Sequence, residues 1–495
     1  MSRILIIFVV SIFVISSFYL LGSRAIENDS NQFIKKLIPV EIKNTLKKTI
    51  FAKSVLKSEN NRLKKDLENL KKEKKRIAYY FAYSWLNKNK DKNEIILDTR
   101  YYNDPISIAQ IKRDEEQIVS QKKSIYSLSR IYMPFPRQPG GIENYAKAGA
   151  HIDIHKENLF FALGASNIFI LNLLDLQKPN IKIKELKSNF KNFVKSDLFF
   201  ENSQLTITDI LIDEDNIYLA YTDAIQDECA GLYVVKSKIN YNYLNFEKFW
   251  GSPNDQCSKA NLGHGGGRMK ISKNKMILTT GDFSTAENRK GQGYASSLDE
   301  NDFKGKVIEI DLETKNYKFL SMGHRNPQGL FINKKPNLLL TTEHGPKGGD
   351  EVNIIRLDKK SESIQNFGWP ISSYGDHYDG TFKEWAPLHK SHLKFGFIEP
   401  IKYFTPSIAI SELIKVDNKF NPKYKNDFYV SSMGHDIQEF DMSIHHMRFD
   451  ENFDKIIFED KIILNDRIRD LIQYNNKILL YLEGAPALGI LKFIK

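Results

Sequence analysis

From about residue 130 onward one pattern keeps returning: an alternating strand, a polar turn containing Asn, then a second apolar strand. It reads IDIHKENLFFAL from Ile152, ILIDEDNIYLAY from Ile210, MKISKNKMILTT from Met269 and LFINKKPNLLLTT from Leu330. Two more copies are ELIKVDNKF, continued by NDFYVSS, from Glu412, and DLIQYNNKILLYLE from Asp470. The starts lie about 58, 59, 61, 82 and 58 residues apart, and regular spacing of this kind marks a propeller or a solenoid. About 60 residues hold four strands and their loops, which is one blade. The repeats therefore predict an all-β, six-bladed β-propeller over residues 131–495, with a β-sandwich of accidental spacing as the rival. The long interval after Leu330 leaves room for an insertion near Tyr374 to His392. Loops of a propeller surround a central channel, so residues from different blades can meet on one ligand.

The segment before the repeats is of another kind. Ile4 to Gly22 is uncharged and mostly apolar behind Arg3, long enough to cross a bilayer as a helix. Residues 1–25 thus read as an uncleaved signal anchor, the rival being cleavage after Ala25. Residues 26–130 read as a basic helical stalk and linker. Leu56, Leu63, Leu70 and Ile77 recur every seven residues, with Lys53, Asn60, Leu67 and Lys74 as the other seam positions. Such a seam either pairs two stalks into a homodimer, with Asn60 setting register, or belongs to a single helix whose lysines lie against anionic headgroups.

The formal net charge of +11 would suggest a polyanionic partner if it were spread over the propeller. It is not. Between Lys43 and Lys90 stand 15 Lys and Arg against 4 acids, an excess of 11 that equals the charge of the whole chain. The remainder is neutral, which argues against a nucleic-acid partner. With only 2 cysteines, Cys229 and Cys257, neither a disulfide framework nor a four-cysteine zinc site can form.

Four clusters near strand ends carry the candidate chemistry: GHGGGRM (Gly263 to Met269), GHRNPQGL (Gly323 to Leu330), TTEHGPKGGDEVN (Thr341 to Asn353) and DRIRD (Asp466 to Asp470). In the first, a histidine sits in a glycine run where backbone can approach a planar ligand. In the second, His324, Arg325, Asn326 and Gln328 share one turn.

Together with TTGD (Thr279 to Asp282), NFGWP (Asn366 to Pro370) and TPSIAISEL (Thr405 to Leu413), and in that chain order, these motifs resemble the soluble quinoprotein glucose dehydrogenase family and its aldose sugar dehydrogenase relatives. The resemblance covers about residues 145–495. It implies a six-bladed propeller that uses pyrroloquinoline quinone (PQQ) and Ca2+ to oxidise the C1 hydroxyl of an aldose to a lactone. By the same resemblance His264 is the general base and Arg325 acts on the quinone oxygen. Asn326 contacts the quinone, and Arg467 and Arg469 bind its carboxylates. His344 belongs to the cofactor site, and Gln204 aligns loosely with a glutamine near the substrate. Backbone carbonyls of Gly345 and Pro346 are implied to hold the cofactor's calcium, while Asp350 and Glu351 match a segment that contributes to a separate structural calcium. Planar arginine forks suit a tricarboxylate, and carbonyl oxygens suit calcium.

Three positions depart from the glucose-oxidising branch. Gly263 replaces an acidic residue before the catalytic histidine, so an orienting carboxylate is expected to be missing. Ser431 to Asp436 offers no lysine, with His435 as a partial substitute, and His344 replaces a glutamine. The resemblance also implies a periplasmic propeller anchored to the inner membrane, and an external electron acceptor, quinone or cytochrome. In that compartment Cys229 and Cys257 form one disulfide or remain two buried thiols. The alternative to the enzyme is a cell-envelope scaffold with a decayed cofactor site; a propeller lactonase is a more distant reading.

Overall fold

The computed structural model describes residues 94–98, 117–121, 124–133, 135 and 149–495, the last with breaks at 165, 179, 196–198, 200–203, 225–229, 257–262, 284–295, 359–362, 435–440 and 485. The expected anchor, the heptad segment, both cysteines and His435 lie outside the described residues. Among the described residues no helix is long and apolar enough to cross a membrane.

Six sheets, antiparallel except where the two-residue strands Tyr243–Leu244 and Gln365–Asn366 pair in parallel, follow one another along the chain. Their innermost strands are Ala150–His155, Ile207–Asp213, Gly266–Ser272, Pro327–Asn333, Ile410–Val416 and Ile468–Tyr474. We number the blades 1 to 6 in that order. Each inner strand packs beside the next, and the sixth beside the first, so the ring closes. Every one of the six sequence repeats supplies the inner hairpin of one blade. The polar turns work because residues such as Lys156, Glu214, Asn274 and Asn475 adopt positive φ of 55°, 52°, 61° and 53°, the geometry of tight hairpin connections. Apolar side chains then fill the spaces between neighbouring sheets. Phe161 and Leu171 of blade 1 meet Tyr481 and Ile490 of blade 6, and Leu340 of blade 4 meets Val430 and Met447 of blade 5.

Ring closure moves the expected domain boundary. Blade 6 takes three strands from the last repeat, and its fourth place is filled by Ser124–Tyr132, paired antiparallel with Ala487–Phe493 from Tyr132↔Ala487 to Tyr126↔Phe493. Gln117–Gln121 adds a fifth strand there, and Glu94–Asp98 pairs with Asn180–Ser188 in blade 1. The segment read as stalk and linker up to residue 130 thus contains strands of the propeller. The expected insertion lies between Gln365–Asn366 and Lys402–Phe404 and includes only isolated bridges and a short 3-10 turn.

One consequence of this topology locates the site. Within each inner hairpin the first strand starts, and the second ends, at the same face of the ring. GHGGGRM, GHRNPQGL and DRIRD precede or open first strands, while TTGD, TTEHG and Glu483 stand at the ends of second strands. All six segments therefore reach one face.

Candidate functional site

Below that face the channel is closed by buried charge. Arg268, at the start of the blade 3 inner strand, is 4% exposed. Its Nη1 lies 2.9 Å from Asp209 of blade 2, 3.2 Å from Glu412 of blade 5 and 3.4 Å from Asp470 of blade 6, and its Nε donates to the carbonyl of Gln328 in blade 4. The carboxylates also tie the strands together. Asp470 Oδ2 accepts Ile152 N at 2.9 Å, Asp209 Oδ2 accepts Met269 N at 2.8 Å, and Glu412 Oε1 accepts Leu330 N at 3.3 Å. Register slips at the starts of these inner strands turn the acids toward the neighbouring backbone. His151, Asp209 and Asp470 place ligand-type atoms within 4.8 Å of one another, but the Arg268 guanidinium already bridges the two aspartates. Burial pushes Asp209 up to about 7, against the pull of Arg268. A cavity of about 940 Å³ opens at the far ends of the inner strands beside Lys273 and Gln473, away from the glycine-rich loops.

His264 stands above this plug with its side chain 25% exposed. Its φ of +58° is unusual for a residue with a Cβ, a strain typical of functional sites. The neighbouring strand end holds it there. Gly281 N donates to Gly265 O at 3.0 Å and Phe283 N to His264 O at 3.2 Å; a Cβ on Gly281 would lie 1.7 Å from His264 O. That close approach explains the glycine of TTGD. The next residue, Asp282, is fully buried, and its Oδ1 lies 3.6 Å from His264 Nδ1. Asp282 Oδ2 accepts Trp369 Nε1 at 2.8 Å. The carboxylate expected to be missing because of Gly263 is therefore supplied from a different strand end.

Arg325 approaches from blade 4. Its Nη2 lies 3.5 Å from His264 Nε2, its Nη1 donates to the carbonyls of His344 and Gly345 at 3.0 and 2.7 Å, and its guanidinium lies 5.3 Å from the Trp369 ring centroid. Its own backbone is fixed by Glu343, which accepts Arg325 N and, at 2.8 Å, His324 Nδ1. His324 is wholly buried and serves this scaffold. Asn326 Oδ1 accepts Gly266 N at 3.3 Å and Gln328 Nε2 at 2.9 Å, so its oxygen holds the His264 loop to blade 4.

Arg467 and Arg469 converge on one fully buried acid, Glu483, at 3.2 and 2.8 Å. Burial would raise this carboxyl, but Arg469 and Arg467 outweigh it and hold it below the usual range. Two guanidiniums share the charge of Glu483, an excess of arginine charge over that one acid, and Arg467 Nη1 also donates to the carbonyls of Met433 and Gly434. Burial pushes His344 down to about 4, opposed by Asp350 and reinforced by Arg325, Arg469 and His264, so the charged groups of blades 3, 4 and 6 act on one patch. His344 Nε2 is buried with no partner among the described residues. Gln204 is exposed on the same face, before the blade 2 inner strand, with its carbonyl accepting Thr222 Oγ1 at 3.3 Å; it is not drawn into the His264 cluster.

The donor set suits an anionic planar quinone: surplus arginine charge, a buried unpartnered imidazole nitrogen and a histidine held at an orienting carboxylate. The implied calcium contacts fare differently. The Gly345 carbonyl is occupied by Arg325, so a divalent ion there would face a guanidinium 2.7 Å from its own ligand. Asp350 is spent on the fold, accepting Gly345 N at 2.9 Å, Ser407 Oγ at 2.6 Å, and Ile408 N and Ile410 N at 3.0 and 3.1 Å. Asp282, Trp369, Glu343 and Glu483 were not singled out from the sequence. The first three lie inside visible motifs, but Glu483 sits in an ordinary strand, YLEG, that carries no signal.

The chain is similar to several known proteins. Residues 203–488 match the family described as glucose / sorbosone dehydrogenase. Aldose sugar dehydrogenase YliI of Escherichia coli (strain K12) is 35% identical over 154 residues, 30% of this chain and 37% of that protein. Quinoprotein glucose dehydrogenase B of Acinetobacter calcoaceticus is 30% identical over 156 residues, 26% of this chain and 31% of that protein. The matched stretch thus spans about a third of the length of these curated relatives. The crystal structure of the soluble aldose sugar dehydrogenase from Escherichia coli in its apo-form superposes with a TM-score of 0.54 at 19% identity, over 70% of this chain and 95% of that one, and shares the fold. With the family match extending over more than half of its residues, the chain belongs to the glucose/sorbosone dehydrogenase family.

Proposed function

We propose that this protein is a PQQ-dependent aldose dehydrogenase that oxidises the C1 hydroxyl of a sugar to a lactone. The observation that carries the reading is the grouping of His264, Asp282 and Arg325 beside the surplus charge of Arg467 and Arg469. Asp282 favours a proton on His264 Nδ1, which leaves Nε2 as the base for the C1 hydroxyl proton. Arg325 stabilises negative charge that develops on an oxygen placed against it, and Trp369 and the His344 and Gly345 carbonyls fix its plane. Arg467 and Arg469 hold carboxylates, their own positions set by Glu483. Bound there, pyrroloquinoline quinone supplies the acceptor for the C1 hydride. No step is assigned to calcium, because Gly345 is engaged by Arg325.

The wider setting is part of the same proposal: anchorage to the inner membrane through Ile4 to Gly22, a periplasmic propeller, and electron delivery to an external quinone or cytochrome. The test is addition of the quinone to the purified protein, with and without Ca2+, followed by the bound-cofactor absorption and dye reduction with a panel of aldoses. Sugar-dependent reduction that is lost in His264→Ala, with cofactor binding retained, is expected. Absence of quinone binding at micromolar concentration would refute the enzyme and leave a cell-envelope scaffold.

A further inference from the structure

Glu351, the second residue of the segment implied to contribute to a structural calcium, faces an imidazole. His392, from the blade 4 insertion, is 1% exposed. Its Nδ1 donates to the Phe367 carbonyl at 2.7 Å, and its Nε2, which makes no hydrogen bond among the described residues, lies at ion-pair distance, 3.3 Å, from Glu351 Oε1. Glu351 Oε2 accepts Asn353 Nδ2 at 3.2 Å. The ring is clamped from outside as well: Tyr374 stacks on it at 5.5 Å, and Glu399 accepts the backbone N–H groups of His392 and Leu393 at 2.9 Å and the Tyr374 hydroxyl at 2.8 Å. The adjoining crevice, bounded by Glu343, Glu351, Phe367 and His392, has a volume of about 10 Å³, room for about one water at most. Calcium needs six to eight oxygens at about 2.3–2.6 Å. Here the carboxylate and the carbonyl turn toward one ring, and Asp350 has no oxygen to spare.

We infer that His392 takes the place of a structural metal ion in this chain, its imidazole hydrogen-bonded to Phe367 and set at ion-pair distance from Glu351, so that the 367–401 insertion is held to blade 4 without calcium. A histidine–carboxylate pair is balanced in charge whichever partner holds the proton, so no further cation is required. The inference stands apart from the proposed catalysis, since its readout is stability and metal dependence and not turnover.

The test is thermal unfolding of the purified full chain without quinone, in millimolar calcium and in excess chelator. Wild-type midpoints that coincide support the assignment. A calcium-induced rise that Glu351→Gln abolishes would overturn it, whereas a rise that survives Glu351→Gln places the ion elsewhere and leaves the assignment standing. His392→Ala is expected to lower the midpoint by about 3–6 °C, with calcium recovering part of the loss because the vacated space lies against the Glu351 carboxylate. An unchanged midpoint in that variant would also overturn it. Should His392→Ala fail to fold, the wild-type and Glu351→Gln comparison decides by itself.

Discussion

His264 Nδ1 and Asp282 Oδ1 lie 3.6 Å apart although 18 positions separate them in the chain, and Asp282 is held in turn by Trp369 Nε1 at 2.8 Å. The histidine that the family resemblance implies as a base thus faces a buried acid that an indole holds in place.

Asp282→Asn keeps the size of the side chain and removes the negative charge that faces His264 Nδ1. Turnover is expected to fall by roughly 10²–10⁴-fold, with little change in quinone affinity or unfolding midpoint. Steady-state kinetics on the quinone-loaded protein would check this. Parental turnover in Asp282→Asn would show that the aspartate does not position the base.

Arg467→Gln and Arg469→Gln each remove charge-assisted donors from the cofactor face and leave Glu483 with the other arginine. Quinone binding is expected to weaken by about 10–100-fold in either variant, following the usual worth of hydrogen bonds to charged groups. The double variant leaves Glu483 buried and unpaired, so it should also lose about 3–5 kcal/mol of stability. Cofactor titration by absorbance and denaturant unfolding separate the two effects; undiminished affinity in both single variants would exclude these arginines from the cofactor site.

Arg268 joins carboxylates from blades 2, 5 and 6, and these hold its guanidinium more firmly charged than usual although burial opposes it. Arg268→Met strands Asp209, Glu412 and Asp470 at the channel axis. A loss of about 3–5 kcal/mol in unfolding free energy is expected. A variant as stable as the parent would mean that the acids reorganise or take up protons at little cost.

His151 offers a pH test. Burial, with Arg268 next, pushes its imidazole from 6.5 down to about 4, against Asp470. The unfolded chain therefore binds the proton first, and stability from this group is lost as pH falls from 6.5 toward 4. Asp153 and Asp209 are raised to about 6 and about 7, chiefly by burial, and act in the opposite sense. His151→Gln isolates the histidine: relative to wild type it should gain about 2 kcal/mol between neutral pH and about pH 5. Thermal unfolding across this range would show it, and parallel wild-type and variant profiles would count against a buried neutral His151.

Much of the architecture was open to reading from the chain. Alternation with a period of two and a spacing near 60 residues followed from local chemistry, because each repeat builds a hairpin and each hairpin needs a polar turn. His264, Arg325, Arg467 and Arg469 were visible for a related reason: glycine runs and arginine pairs beside strands stand out in composition. Ser124–Tyr132 is not legible as a propeller strand because a closing strand has no local mark; its pairing with Ala487–Phe493 in blade 6 is what places it.

By itself, then, the sequence determined the number of blades, the confinement of the +11 charge to the segment from Lys43 to Lys90, and which loops carry unusual side chains. Tertiary structure decided what those side chains do. Asp282 orients His264, Glu483 gathers two arginines, Arg268 plugs the axis, Arg325 covers the Gly345 carbonyl, and His392 occupies the Glu351 crevice. Ring closure brings the Arg268 guanidinium to carboxylates of blades 2, 5 and 6, whereas the other four pairings form within one blade, where the end of one segment folds against the start of another. The physical reason is that in these buried spaces charges are stable only beside partners, and composition along the chain does not specify which partner that is.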